Sequence, residues 1–312
     1  MAKKKTGVKP KKRVKKRKAG KKGSPFLASL KRFLGVVLGG TVLSIGLLFV
    51  YDYAYPEEAE SAYVKLRNEQ SAETAFTPLT LPKGIEQPRV LTDAKQQILY
   101  REGHTLSYNP EYRIPNWVAW VLTQEKLENN RASRYDQFVP DPDVSEWATA
   151  YDEDYRGSGF DRGHMVPVAD VKWSHKAMRE SFYFSNICPQ DRKMNGGIWN
   201  TLEQKCRTWA SDKGVLYIVS GPVIHPKLRR LGKNRVAIPE QFYKVICTVS
   251  DNKYQGIAFL LENREYKGTK LQATALPIDS VEAVTGIDFF PLLPDKEERE
   301  MERTVDLKFW FK

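Results

Sequence analysis

The chain has 312 residues, 41% of them hydrophobic, enough to bury a substantial core and too apolar for a wholly disordered protein. Its formal charge of +12 is local: residues 1–32 carry 15 Lys or Arg and no acid, which leaves 35 basic against 38 acidic side chains elsewhere. Three widely spaced cysteines, Cys188, Cys206 and Cys247, exclude a disulfide framework and a zinc ribbon and permit at most one disulfide.

In chain order, residues 1–32 read as a disordered basic tail, Lys-rich and without apolar periodicity. Residues 33–51 (FLGVVLGGTVLSIGLLFVY) then run without a charge. At about 1.5 Å rise per residue this stretch spans a bilayer core of about 30 Å, so it is expected to be a single transmembrane helix. A buried helix of the soluble domain would need a polar face, and only Thr41, Ser44 and glycines are on offer. A cleaved signal peptide usually has an apolar region of about 7–15 residues and a small-residue cleavage site, which does not follow Tyr51. A mitochondrial presequence would be amphipathic and rich in Arg and Ser.

The basic flank before Phe33, set against Asp52, Glu57, Glu58 and Glu60 after the stretch, predicts a cytoplasmic amino terminus. Everything from Asp52 on is then expected outside the cytoplasm, in a periplasm, an organelle lumen or the extracellular space. Residues 52–80 read as a stalk and linker, and residues 81–312 as one domain with 33 basic and 32 acidic side chains. Any anion site in that domain must therefore be local.

Within the domain, β-branched and aromatic runs predict strands at Ile98–Tyr108, Trp117–Leu122, Val215–Val223, Phe242–Val249 and Tyr254–Leu261. Helical patterns occur at Lys172–Ser181, Ile198–Ser211 and Ser280–Thr285, with Gly214 and Gly286 as stop signals. Strands and helices do not alternate, so the expected fold is α+β, a central antiparallel sheet with flanking helices.

Two segments hold polar residues that a core does not need. YRGSGFDRGHM (155–165) places Asp161, Arg162 and His164 among three glycines. It is neither a dinucleotide fingerprint, since the spacing is G-x-G-x-x-x-G, nor a nucleophile elbow. SNICPQDRKMNGGIWNTLE (185–203) has Pro189 and Gly196-Gly197 framing an expected loop, followed by Ile198, Leu202 and Cys206 on one helix face. Asn195 precedes that helix and suits an N-cap; with Glu203 two turns on, it also suits a hard-oxygen site for Mg²⁺.

DRGHM (161–165), SNICPQ (185–190) and MNGGIWNTLE (194–203) together resemble the DNA/RNA non-specific endonucleases, the group that includes endonuclease G. LSYNPEYRIPNWVAWVLT (106–123) and TGIDFFPLLPD (285–295) extend the likeness over about residues 90–300. The resemblance implies a ββα-metal module with His164 as general base and Asn195 as the only direct protein ligand of one Mg²⁺, for which Mn²⁺ can substitute. It implies that Glu203 holds water on the metal and that an arginine upstream of FVPDP (138–142) clamps the phosphate. Arg134 is chosen over Arg131 for the clamp. Asp161 and Arg162 are expected to orient the hairpin, and Asn186 to brace the base or the water.

The implied function is a membrane-anchored Mg²⁺-dependent endonuclease cutting DNA and RNA with little sequence preference, since phosphate and metal contacts read no bases. The rival of another class is a catalytically silent nucleic-acid-binding or scaffold protein that keeps the nuclease fold; it predicts decay at His164, Asn195 and Glu203, all of which are present. A zinc-stapled HNH module lacks its Cys or His pairs. The oligomeric state is open, and a homodimer is compatible with the sequence.

Overall fold

The computed structural model describes residues 82–91, 95–129, 132, 135 and 137–312. The expected tail, the membrane helix at 33–51, the whole of the 52–80 linker and Arg134 lie outside the described residues. Among the described residues no helix is long and apolar enough to cross a membrane.

Strands in chain order are β1 (Arg89–Val90), β2 (Gln97–Tyr100), β3 (Thr105–Asn109), β4 (Ile114–Thr123), β5 (Phe160–His164) and β6 (Ile187–Asp191). They continue with β7 (Val215–Pro222), β8 (Arg229–Leu231), β9 (Val236–Ile238), β10 (Gln241–Ser250), β11 (Lys253–Glu262), β12 (Ala275–Leu276) and β13 (Ile287–Asp288). Seven of them form one antiparallel sheet in the order β12-β11-β10-β7-β4-β3-β2, the expected α+β architecture. The single strand expected over 98–108 is a hairpin of β2 and β3, turned through Arg101–His104.

Both faces of the sheet are covered, so its central strands read as nearly continuous apolar runs. Along β4, Val118, Trp120 and Leu122 enter one core while Trp117 and Ala119 enter the other. On β10, Phe242 and Ile246 share the first face, and Tyr243, Val245 and Cys247 share the second. The Asn200–Lys213 helix packs Leu202, Cys206, Trp209 and Ala210 on the first face, and Gly214 at φ +86 ends it as expected. The Ile278–Thr285 and Asp295–Glu302 helices place Ile278, Val281 and Met301 on the second. Gly286, in the left-handed region at φ +66, stops the former. All three cysteines are free and buried, behaving as small apolar groups.

The expected helix over 172–181 starts only at His175, because the Ser174 hydroxyl accepts from the amides of Lys176 and Ala177 and fixes the start there. The expected loop framed by Pro189 and Gly196-Gly197 is not a loop. Pro189 sits inside β6, and a short helix from Arg192 meets the Asn200–Lys213 helix across a kink at Gly197, whose φ −103 and ψ −110 are not helical.

Candidate active site

The site rests on the β5–β6 hairpin and the helical run that leaves it. These strands pair antiparallel from Phe160↔Asp191 to His164↔Ile187 and form a sheet of their own, apart from the large one. Gly163 is dictated by contact rather than by φ: a Cβ there would fall 2.0 Å from Oε1 of Gln190, a fully buried side chain of the partner strand. Successive strand residues face opposite sides, so Arg162 and His164 share one side and Asp161 points to the other.

His164 packs its ring against Phe138 (centroids 5.3 Å apart) and edge-on against Phe182 (5.0 Å). Its Nε2 is closed off from solvent and has no hydrogen-bond partner, leaving Nδ1 as the open nitrogen. Burial penalises the imidazolium and pulls the pKa down to about 4, so the ring is neutral at pH 7. Phe138 belongs to the FVPDP stretch and is shared: the Arg162 guanidinium lies 5.1 Å from its ring centre. Arg162 Nε also donates to Asp152 Oδ1 at 2.7 Å, the hydrogen bond that chiefly holds the Asp152 carboxyl below its ordinary pKa. The rest of FVPDP is pinned by Asp141, which pairs with Arg101 and accepts from the Ser185 hydroxyl at 2.5 Å.

Asn186 is fully buried, with Oδ1 accepting from the Val166 amide (3.0 Å) and Nδ2 donating to the carbonyls of Val166 (3.1 Å) and Ser181 (2.8 Å). It therefore braces the backbone two residues beyond His164, not the imidazole itself.

Asn195 is not the N-cap that its position suggests. Asp191 takes that place, accepting from the amides of Lys193 and Met194 at 2.9 Å each, so the positive end of the helical run lies at Arg192. Asn195 instead ends the short helix that Asp191 opens, two residues before the kink at Gly197. Its Nδ2 donates to Asp161 Oδ2 at 3.2 Å, and Asp161 Oδ1 accepts from Arg192 Nε at 3.1 Å. Asp161 thus grips the amide by its nitrogen and leaves the Asn195 Oδ1 lone pairs for another partner. One hard oxygen presented this way, with Glu203 on the helix beyond the Gly197 kink, fits a divalent cation that keeps most of its waters.

Glu203 sits in a charged pocket that sequence reasoning missed. Lys244 of β10 is fully buried, its Nζ has no hydrogen-bond partner, and it lies 4.8 and 4.6 Å from the ring centres of Trp120 and Trp199. Asp170 completes the pocket, accepting from Trp120 Nε1 and from Arg207, each at 3.1 Å. Burial pushes the Glu203 carboxyl up to about 7, against the pull of Lys244 and Arg207 in the other direction. The one available signal was Lys244 itself, a lone cation among the apolar residues of FYKVICTV.

Of the expected site residues, the structure joins Asp161 to Asn195 directly and Arg162 to His164 through Phe138. No hydrogen bond links His164 to Asn195 or Glu203 among the described residues. Arg134, the expected phosphate clamp, lies outside them.

A β-hairpin carrying His164 leads straight into the helical segment carrying Asn195, and comparison with known proteins gives the class to which this chain belongs. The family model for DNA/RNA non-specific endonucleases matches residues 81–296. Human mitochondrial nuclease EXOG is 33% identical over 303 residues, covering 90% of this chain and 77% of the relative. Human mitochondrial endonuclease G is 34% identical over 207 residues (62% and 70%), and nuclease C1 of Cunninghamella echinulata 35% over 212 (64% and 84%). The crystal structure of an EndoG/EndoGI complex superposes with a TM-score of 0.63 at 29% identity, covering 70% of this chain and 96% of the other. The chain belongs to the DNA/RNA non-specific endonuclease family, and it is a nuclease.

Proposed function

We propose that this nuclease hydrolyses phosphodiester bonds of both DNA and RNA with His164 as general base and a divalent cation, Mg²⁺ by preference, held at Asn195. The observation that carries the reading is the state of His164: an imidazole kept neutral by burial, closed at Nε2 and open at Nδ1. Nδ1 takes the proton of the attacking water as its oxygen adds to phosphorus, and the imidazolium that forms is flanked by the faces of Phe138 and Phe182. Arg162, on the same side of β5, is engaged by Asp152 and lies against the Phe138 ring, which leaves His164 as our choice of base. Asn195 Oδ1, oriented by Asp161, and Glu203 are the residues that would hold the cation. Bound there, it supplies positive charge to the phosphate and the departing 3′ oxygen. Arg134 remains our choice for the clamp.

We further propose that residues 33–51 anchor the enzyme in a membrane with its domain on the non-cytoplasmic side; several relatives bear mitochondrial names, which also suits a compartment behind a membrane.

The test is digestion of plasmid DNA, single-stranded DNA and RNA by the full chain. Cleavage of all three with Mg²⁺, restored by Mn²⁺ and abolished by EDTA, is expected. Undiminished cleavage in EDTA would refute the cation, and cleavage of one polymer alone would refute the broad substrate range.

A further inference from the structure

Opposite the nuclease site, on the second face of the sheet, the Ile278–Thr285 and Asp295–Glu302 helices crowd acids together. Carboxylate oxygens of Asp279, Glu282 and Glu302 all lie within 4.8 Å of one another. Arg89 pairs with the neighbouring Asp288, but among the described residues no basic side chain pairs with Asp279, Glu282, Glu298 or Glu302. Acid clusters on a surface are common and prove nothing. Here, however, Glu302 is only 6% exposed, and its Oε1 has neither solvent nor a hydrogen-bond partner. Glu298 Oε1 beside it is in the same condition. An ionised carboxylate left bare in the interior is among the costliest arrangements a protein can hold, and native structures answer it with a proton or a cation.

We propose that Asp279, Glu282 and Glu302 form a second cation site, for an ion of the calcium class, that fastens these two helices to each other on the sheet face opposite the nuclease site. The ligands are hard oxygens only, which excludes soft metals. An ion among them could sit no further than about 2.8 Å from all three oxygens, within small adjustments of the roughly 2.3–2.6 Å of calcium coordination, and calcium takes an all-carboxylate set with flexible geometry where magnesium keeps most of its waters. Glu282 is pre-positioned, since its Oε1 already accepts from the Phe289 amide at 2.8 Å and a second oxygen remains. Sequence spacing supports one rigid ligand pair: Asp279 and Glu282 stand three apart on one helix face. The competing occupant is a proton, because burial together with Glu282, Glu298, Asp279 and Asp288 pushes the Glu302 carboxyl up to about 9.

Equilibrium dialysis with radioactive calcium on the detergent-solubilised full chain separates the two, run with and without Asn195→Ala to remove the nuclease site from the count. One calcium per chain is expected to persist in Asn195→Ala and to bind at least tenfold more weakly after Glu302→Gln, Glu282→Gln or Asp279→Asn. Asp279 is exposed, so its variant folds even where a buried one does not. Calcium at a hundredfold excess over its Kd should raise the thermal midpoint by about 5 °C in the parent and not in these variants. Absence of bound calcium, its loss on Asn195→Ala, or its retention in all three carboxylate variants would overturn the proposal. So would a Glu302→Gln protein as stable as its parent under every calcium concentration, since Glu302 then carries a proton only.

Discussion

Asn195 gives an amide hydrogen to Asp161 across 3.2 Å, so one residue of the hairpin decides which end of an amide on the following helix faces outward. Asp161→Ala frees that amide to rotate. Mg²⁺ affinity measured by calorimetry should fall about 10- to 100-fold, the usual effect of losing the partner that orients a ligand. Asp161→Asn can still accept through its carbonyl and should recover part of the loss. Equal affinity in all three proteins would show that Asn195 needs no such orientation, or is not a ligand.

The Lys244 ammonium lies beside Glu203 and draws its pKa down, while burial draws it up to about 7. Lys244→Met removes the downward pull, so Glu203 should be mostly protonated at pH 7, and the rate should recover as pH rises past the new, higher value. Removing the ammonium leaves the buried Glu203 and Asp170 carboxyls without that cation, so the variant should be less stable above the new Glu203 pKa and regain stability below it, where Glu203 takes up a proton. A pH–rate profile identical to the parent's would separate Glu203 from the reaction.

His104 is buried with both ring nitrogens unpartnered, and burial, reinforced by Arg101, lowers its pKa to about 3; His164 falls to about 4. Both folded values lie below the unfolded value of about 6.5, so between these limits the unfolded chain binds more protons. The stability they contribute is complete above about pH 6.5 and is lost as pH falls toward 4 and then 3. Glu203 and Glu302, with raised pKa values, act in the opposite sense as pH rises from about 4.5, so the diagnostic quantity is a difference. The thermal midpoint of His104→Leu relative to its parent should rise between pH 6.5 and 4. A constant difference would mean that His104 is already protonated in the fold.

Much of the site was legible because its chemistry is contiguous in the chain. DRGH falls on one strand and MNGGIWNTLE runs across the kinked junction of two consecutive helices, while Gly163 is required by the Gln190 side chain of the partner strand. What was not legible depends on strands far apart in sequence. Lys244 and Asp170 converge on Glu203 only when β10 lies under the 200–213 helix, and a lysine in a strand otherwise reads as solvent-facing. The cap that Asn195 also suited is supplied by Asp191, four residues earlier, which opens a short helix ahead of the kink at Gly197. Asn186 was placed near the base, although its two-sided grip on Val166 requires the folded backbone.

The 15-to-0 charge bias before Phe33 leads to the proposed topology. Protease added to intact cells, or to spheroplasts where an outer membrane exists, should then remove the domain. Protection of the domain until the membrane is dissolved would place it on the other side.

The most direct test of the account is the cleavage rate of His164→Ala on plasmid DNA at saturating Mg²⁺, with near-ultraviolet circular dichroism on the same sample to show that the fold persists. A loss of at least about a hundredfold with the aromatic signal retained is expected, the scale on which a general base acts. The lost contacts with Phe138 and Phe182 should cost only a few degrees in thermal midpoint. A folded His164→Ala protein that cuts DNA at the parental rate would contradict the assignment of the base and with it the mechanism proposed for this nuclease.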